Sequence, residues 1–527
     1  MPRIEIEHQR DFTGGLNLKA DPYNLADNES ADLLNVDIDR RGGFGVRRGV
    51  TPWLEYPIPF TSTADHFTSM FTYTIQHGPT FLVVARSSET FVSDGGDWTK
   101  IRDYLAGSAR TSFAVMNGVL YFCDAAGAGT YKWSGSGQAT QLQAPGFVDD
   151  LGSPVGGRFP QSRTICAWHN VMWSGWDQRV RWSHPGRPED WRTNDWIDVD
   201  EDGATGYITA LVPFGDQLLV FKQNGLFAIQ GYPPDAFSMQ PLSMKLGTPE
   251  PQSVVVADDA VYFWDVRTGL WKYDGRKLEW VFERISPLID EGKLTNLRWT
   301  TVAEHDRRIY VRVQMEENGS DPNILLIFDP DVGRNGCWTI HDVPTWALWS
   351  HRPGVNADDV LLAVIDEQYG VHQLDTPNKY EDEIQPGVTQ PIQAHYTTRW
   401  FSGRTLYQHG VRKRWKRPVL VAGGAEDAAR FLVDVFTDYD VTRVDKTFQV
   451  TTDIGFLGGY WDGGNWDEIS WSGEVDGERS EIVRGSNLGN GMAKALRIKS
   501  GTTDEFKGRY WRIHQISMKW IDKRMRA

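Results

Sequence analysis

Little in this sequence points to chemistry. Only three of its 527 residues are cysteine, Cys123, Cys166 and Cys337, and none stands in a C-x-x-C pair. That excludes a disulfide scaffold or a zinc finger and leaves buried free thiols as the expectation. Positive charge is in deficit. The formal net charge is -15, the opposite of what a general duplex-DNA binder carries. No run reaches the apolar length of a membrane span. The opening "MPRIEIEHQR" lacks the apolar centre of a secretory signal, so synthesis in a reducing cytoplasm is expected. The motifs HExxH, GxSxG and GxxxxGK[ST] are missing. No catalytic, cofactor-binding or metal residue is assigned, no cofactor is expected, and the chain reads as a non-enzyme. Helical periodicity is scarce as well. The best candidate, "NESADLLNVDID" from Asn28 to Asp39, has only a weak stripe at Ala31, Leu34 and Asn35.

What is present is aromatic residues and glycine. There are 23 Trp, 24 Phe, 18 Tyr and 52 Gly, a composition of aromatic strands cut by tight turns and hence an all-β chain. Similar segments recur at Gly78–Gly96, Ala114–Gly135, Cys166–Pro185, Ala210–Gly231, Ser253–Gly275, Thr301–Pro330 and Val355–Asp375. In each, an apolar strand meets a polar turn such as Met116-Asn117-Gly118. A very apolar second strand follows, then a short turn, then a third strand with alternating aromatics. Asn, Asp and Gly suit the left-handed backbone of such turns. The second strands, Val119–Phe122, Leu218–Phe221, Ala260–Phe263 and Ile309–Val313, read as buried on both faces and the third strands as more exposed. Intervals of roughly 40–50 residues fit propeller blades. A ring of blades hides both sheet faces and most edges; an open series of meanders or a pair of sandwiches is the alternative. The expected organisation is an N-terminal arm over 1–55, a β-propeller of about seven blades over 56–375, a Pro-containing acidic linker over 376–390 and a C-terminal β-sandwich over 391–527. In "RIEIEH", Ile4 and Ile6 alternate with Glu5 and Glu7, which predicts an edge strand with the isoleucines inward.

Three constellations merit weighing. Asp198, Asp200 and Asp202, followed by Gly203, open like a calcium loop, but Thr209 stands where the closing Glu belongs; an acidic inter-blade turn is the simpler reading. "VRKRWKRP", Val411 to Pro418, sets five basic residues around Trp415. Either Trp415 stacks on a nucleic-acid base, or the segment is a strand with solvated cations. Tyr460, Trp461, Trp466 and Trp471 lie among glycines and could stack on a sugar or form a hairpin core. A glycosidase pair has no motif, because it is defined by a separation in space.

The first fifty residues carry a resemblance. Phe12, Gly14, Gly15, Leu16, Asn17, Pro22, Leu25, Asn35, Gly42, Gly43, Arg47, Arg48 and Gly49 trace an aromatic-x-Gly-Gly-Leu-Asn start, a central Asn and a Gly-rich close on Arg-Arg-Gly. This resembles the N-terminal pattern of minor tail proteins of siphoviruses of actinobacteria and, more loosely, podoviral tail nozzle proteins. "VRWSHPGRPEDW", "GLWKYDG", "KRWKRP" and "WDGGNWD" are similar to later segments of that family. The resemblance implies a virion tail protein without catalysis, a homo-oligomer of three- or six-fold symmetry contacting other tail proteins. Its position would be the distal tail or the DNA exit nozzle. A glycan-binding or glycan-cleaving adhesin on the same propeller is the alternative, and a host surface glycan the possible further partner. No stable sequence-specific nucleic-acid binding is expected. The arm's polarity suits a peptide ordered only against a partner surface.

Overall fold

The computed structural model describes residues 4–54, 58–59, 67–86, 89–103, 110–124, 129–143, 159–232, 236–316, 319–354, 356–366, 370–403, 406–424, 429–452, 479–502, 506 and 509–522. The chain is all-β. Seven antiparallel sheets follow one another along the chain, each beginning with an innermost strand: Phe67–Thr74, Thr111–Met116, Thr164–Trp168, Ile208–Phe214, Val254–Ala257, Thr301–His305 and Ala347–His351. These seven strands neighbour one another in a closed ring. The second strands Val119–Asp124, Gln217–Lys222, Ala260–Asp265 and Arg308–Met315 lie inside their blades, as their apolar runs require.

The tight turns use the residues expected of them. Asn117 and Gly118 have φ of 54° and 72°, and His169 and Asn170 have φ of 51° and 60°. Two successive positive φ values make the hairpin turn that matches strand twist. Apolar layers between adjacent blades then hold the ring. Tyr73 and Val83 of the first blade meet Leu120 and Phe122 of the second, and Leu362 and Val364 of the seventh meet Met70 and Val84 of the first. Each such side chain contributes about 1.5–3 kcal/mol by leaving water. The third strands are less exposed than their alternation predicts: Leu226, Phe227, Ala228 and Ile229 are all buried, because neighbouring blades cover both faces of each sheet.

The seventh blade closes with a strand from the other end of the chain. Ala347–His351, Val360–Asp366 and Gly370–Thr376 are completed by Gly49–Pro52, which pairs with the last of them. The ring therefore borrows four residues from the predicted arm. The predicted linker also differs, because Glu381–Gln385 and Val388–Pro391 form an antiparallel hairpin around Gly387.

Beyond it, two sheets pack face to face. One runs Arg479–Arg484, Val419–Gly424, Arg512–Asp522, Lys413–Trp415 and Gly489–Gly491; the other runs Leu33–Leu34, His395–Thr397, Lys494–Lys499, Arg430–Thr437 and Lys446–Thr451. Ile4–Gln9, Val36–Ile38 and Phe44–Val46 join the first sheet. Phe44, Tyr396, Phe431, Ile498, Trp511 and Met518 lie in the core between the sheets. The N-terminal segment is thus ordered against its own chain. The weak helical stripe over Asn28–Asp39 is instead three short strands, Glu29–Ser30, Leu33–Leu34 and Val36–Ile38, interrupted by Asn35 at φ 54°.

Candidate functional site: the N-terminal junction

Six of the residues that carry the resemblance, Phe12, Gly14, Gly15, Asn35, Arg47 and Gly49, lie where the propeller, the acidic hairpin and the sandwich meet. Arg47 is at the centre and is 2% exposed. Its Nη1 and Nη2 donate to the two Asp382 carboxylate oxygens at 2.8 and 2.7 Å, and its Nε donates to Asn35 Oδ1 at 3.0 Å. Asp382 also accepts from the Val50 amide at 3.1 Å, which fixes the closing strand of the ring. Asn35 Nδ2 donates to Asp342 Oδ1 and to the Gln393 carbonyl, at 2.5 and 2.9 Å. Two side chains of the N-terminal segment therefore fasten the end of blade six, the seam of blade seven and the approach to the sandwich. A bidentate guanidinium–carboxylate pair is the geometry that a buried cation needs. Although burial alone would lower the Arg47 value, Asp382 beside it holds the guanidinium above its ordinary range.

Glycine is required by close approach at two positions. A Cβ on Gly15, at φ 62°, would lie 2.7 Å from the Trp338 carbonyl oxygen and against Cys337 Sγ. One on Gly49 would collide with the Glu381 carbonyl. Phe12 is fully buried, edge-on to Phe44 with ring centres 4.7 Å apart. Arg284 Nη1 donates to the Gly14 carbonyl at 3.0 Å.

A second tier of charge surrounds this core. Arg308 reaches Asp329 at 3.1 Å and Asp37 at 3.3 Å. His341 Nε2 is 3.6 Å from Asp37, and burial pushes its value down against the pull of that carboxylate. Tyr310 donates to the Asp375 carboxylate; burial and that carboxylate hold the phenol well above its ordinary value. Asp32 accepts from Arg497 at 2.7 Å and Thr397 at 2.8 Å, with His395 Nε2 2.9 Å away. Burial opposes its ionisation, but His395 and Arg497 outweigh that and hold the carboxyl well below its usual range. These groups fasten segments distant in sequence. None is arranged as a nucleophile beside a base.

The sequence candidates fare differently. Asp198 pairs with Arg179 at 2.7 Å. Asp200 accepts from the Thr205 amide at 2.9 Å and lies 3.6 Å from the buried Lys222 Nζ. Asp198 and Asp200 are spent on separate partners, Asp202 is exposed, and among the described residues no group of three or more His, Cys, Asp or Glu is placed to hold a metal ion. Trp415 is 1% exposed and donates to the Gly491 carbonyl at 3.1 Å, so it presents no face to a base. Lys413 beside it is also buried, donating to the Val411 and Met492 carbonyls. Trp461, Trp466 and Trp471 lie outside the described residues. All three cysteines are buried and outside any disulfide.

The N-terminal strand inverts its predicted facing. Ile4 and Ile6 are exposed, and Glu7 and Gln9 are buried. Glu7 accepts from Trp520 Nε1 at 3.0 Å and lies 3.7 Å from Arg399. A bond from a buried indole and a nearby cation supply the inward partner that alternation alone cannot reveal. The junction itself had one sequence signal, the pairing of an isolated Asn with a later Arg-Arg-Gly. Asp382 had none, because it lies in an acidic run that reads as solvated.

Among the described residues no helix is long and apolar enough to cross a membrane. No family model matches the chain, and no curated protein matches it. Among solved structures, the chain is similar to YCF48 from Cyanidioschyzon merolae at 10% identity, covering 60% of this chain and 98% of that one with a TM-score of 0.35. It is also similar to the extracellular domain of the putative one component system BT4673 from B. thetaiotaomicron, at 11% identity and a TM-score of 0.38, covering 78% of this chain and 48% of that one. At such scores neither adds to the fold assignment, which stands on the strand pairing of the chain itself.

Proposed function

We propose that this chain is a structural component of a bacteriophage tail, a minor tail protein of the distal tail that assembles with other tail proteins and supports host attachment and DNA delivery. The supporting observation is where the resembling residues lie. Phe12, Gly15, Asn35, Arg47 and Gly49 make the junction that binds ring, hairpin and sandwich together. The pattern that resembles tail proteins falls on residues that fasten the chain, which fits a part that bears load. Purified virions from the host that carries this gene should label with an antibody against the chain at the end of the tail, as seen by negative-stain microscopy. Label at a short-tail nozzle would move the chain to that position within the same reading. Virions free of the chain would overturn the reading.

A further inference from the structure

The seven innermost strands line one axial channel, and all run in the same sense. Residues that precede them therefore share one rim. Arg110 stands before Thr111–Met116, Arg163 before Thr164–Trp168, Glu250 before the turn into Val254–Ala257, and Arg298 before Thr301–His305. Arg312, from the second strand of blade six, reaches the same rim. Its Nη1 and the Nη2 of Arg110 both donate to the Trp299 carbonyl, at 2.8 and 2.6 Å. Two guanidinium groups are thus held against a single oxygen. Arg312 is completed by the Thr345 carbonyl at 3.0 Å and by Asn323 Oδ1.

Glu250 is within electrostatic reach of Arg110, Arg163 and Arg298. Arg163, Arg298 and Arg312 form no ion pair with any described carboxylate. Among the described residues, Arg110, Arg163 and Arg298 thus share Glu250 as a nearby carboxylate. Burial, with Arg110 beside it, holds Arg312 down to about 9, so excess charge at this rim is costly. Two of the cations are held against aromatic rings. The Arg163 guanidinium lies 4.0 Å from the centre of the Tyr207 ring, and that of Arg312 lies 5.5 Å from Trp346. The rim is also open, because Arg298 is exposed and Arg163 half-buried. Behind it the channel holds a cavity of about 350 Å³ whose lining includes Ser112, Thr164 and Gln252, with Phe71, Phe113, Trp349 and the acidic Glu304 also in its wall. Gln252 Nε2 donates to the Thr111 carbonyl at 2.6 Å, which fixes the amide; its Oε1 is buried with no hydrogen-bond partner.

We propose that this rim binds an oxyanion, the phosphate or carboxylate group of a small hydroxylated molecule whose remainder enters the channel mouth. Arg163 and Arg298 supply the accessible positive charge. Arg110 and Arg312 set the field from behind. Gln252 Oε1 accepts from a hydroxyl of the ligand. Glu250 is the resident counter-charge with which the ligand competes. The site stands apart from the tail reading, since it rests on the ring alone.

Calorimetric titration of the full chain with inorganic phosphate and, separately, with citrate tests it, each against sodium chloride at equal ionic strength. Saturable binding of at least one anion is expected, with phosphate alone or citrate alone naming the group. The double variant Arg163→Gln/Arg298→Gln should weaken that binding about tenfold or more, because charge-assisted hydrogen bonds are lost. Glu250→Gln should tighten it, an effect that a purely structural arginine cluster would not give. No binding of either anion, or unchanged binding in both variants, would overturn the proposal.

Discussion

At the scale of single residues, the chain is held by a few buried charges whose partners lie hundreds of positions away. Arg47 and Asp382 are the sharpest case, with the guanidinium 2% and the carboxylate 17% exposed. Arg47→Met should lower stability by about 3–5 kcal/mol, because Asp382 is left without its partner. Arg47→Met/Asp382→Asn should recover part of that loss in a double-mutant cycle read by denaturant unfolding. Equal losses in the single and double variants would show that packing, not the pair, is at stake. A second residue sets a pH dependence. His351, at the seam between the seventh and first blades, has its Nδ1 2.8 Å from Thr72 Oγ1, which already accepts from Trp349 Nε1 at 2.9 Å. The hydroxyl hydrogen is thus free to meet a neutral imidazole. Burial, against the pull of Asp359, lowers the His351 value to about 4. The unfolded chain takes up that proton nearer pH 6.5, so the contribution is whole above that pH and is lost as pH falls toward 4. The loss is at most about 3 kcal/mol. Melting from pH 7 to 4 should show a shallower decline in His351→Gln than in the native chain. Neither residue was legible as a fastener. Arg47 stood in a recognisable pattern, but its carboxylate and the Thr72 hydroxyl are matters of tertiary position.

At the scale of elements, legibility followed locality. Each blade is built from neighbours in sequence, so apolar second strands and Asn-Gly turns showed through, and the ring could be counted. Pairings between distant elements did not show. The alternation announces the strand at Ile4–Gln9 but neither its facing nor its pairing of Ile4 with Ile521, and nothing near residue 49 announces the pairing of Gly49–Pro52 with Gly370–Thr376. Glu381–Gln385 reads as a linker because an acidic run needs only water, whereas Asp382 is the counter-ion of Arg47. The inverted N-terminal strand gives a discriminating prediction. Ile4→Thr/Ile6→Thr should change stability by no more than about 0.5 kcal/mol, as exposed substitutions do. Glu7→Ala should cost about 1–3 kcal/mol by leaving the Trp520 N–H unpaired. Removal of residues 1–10 should cost more than either, because it also strips the Ile516–Ile521 edge. Chemical denaturation of the three variants orders them. A larger loss from the isoleucine pair than from Glu7→Ala would contradict the facing of this strand.

At the scale of the whole molecule, the closing strand and the arm are both accounted for within one chain, so the ring requires no exchange of segments between copies. A self-closed ring of this kind suits repeated placement around an axis. Closed symmetry satisfies every like interface at once, and the family resemblance implies three- or six-fold symmetry. Net negative charge fits such a part only permissively: a passing DNA polyanion would not adhere to acidic walls, and a position outside the DNA path would tolerate the same charge. Under the proposed tail role, the junction would serve action by assembly. The expected outcome is therefore a homo-oligomer by native mass measurement, in solution or in particles released from virions, together with no turnover of host envelope polysaccharide by the purified chain. Efficient release of sugars would overturn assembly as the sole activity and favour the adhesin. A chain that remains monomeric both in solution and in the virion would overturn the symmetric oligomer and leave the blades, the junction and the rim to be explained by a single copy.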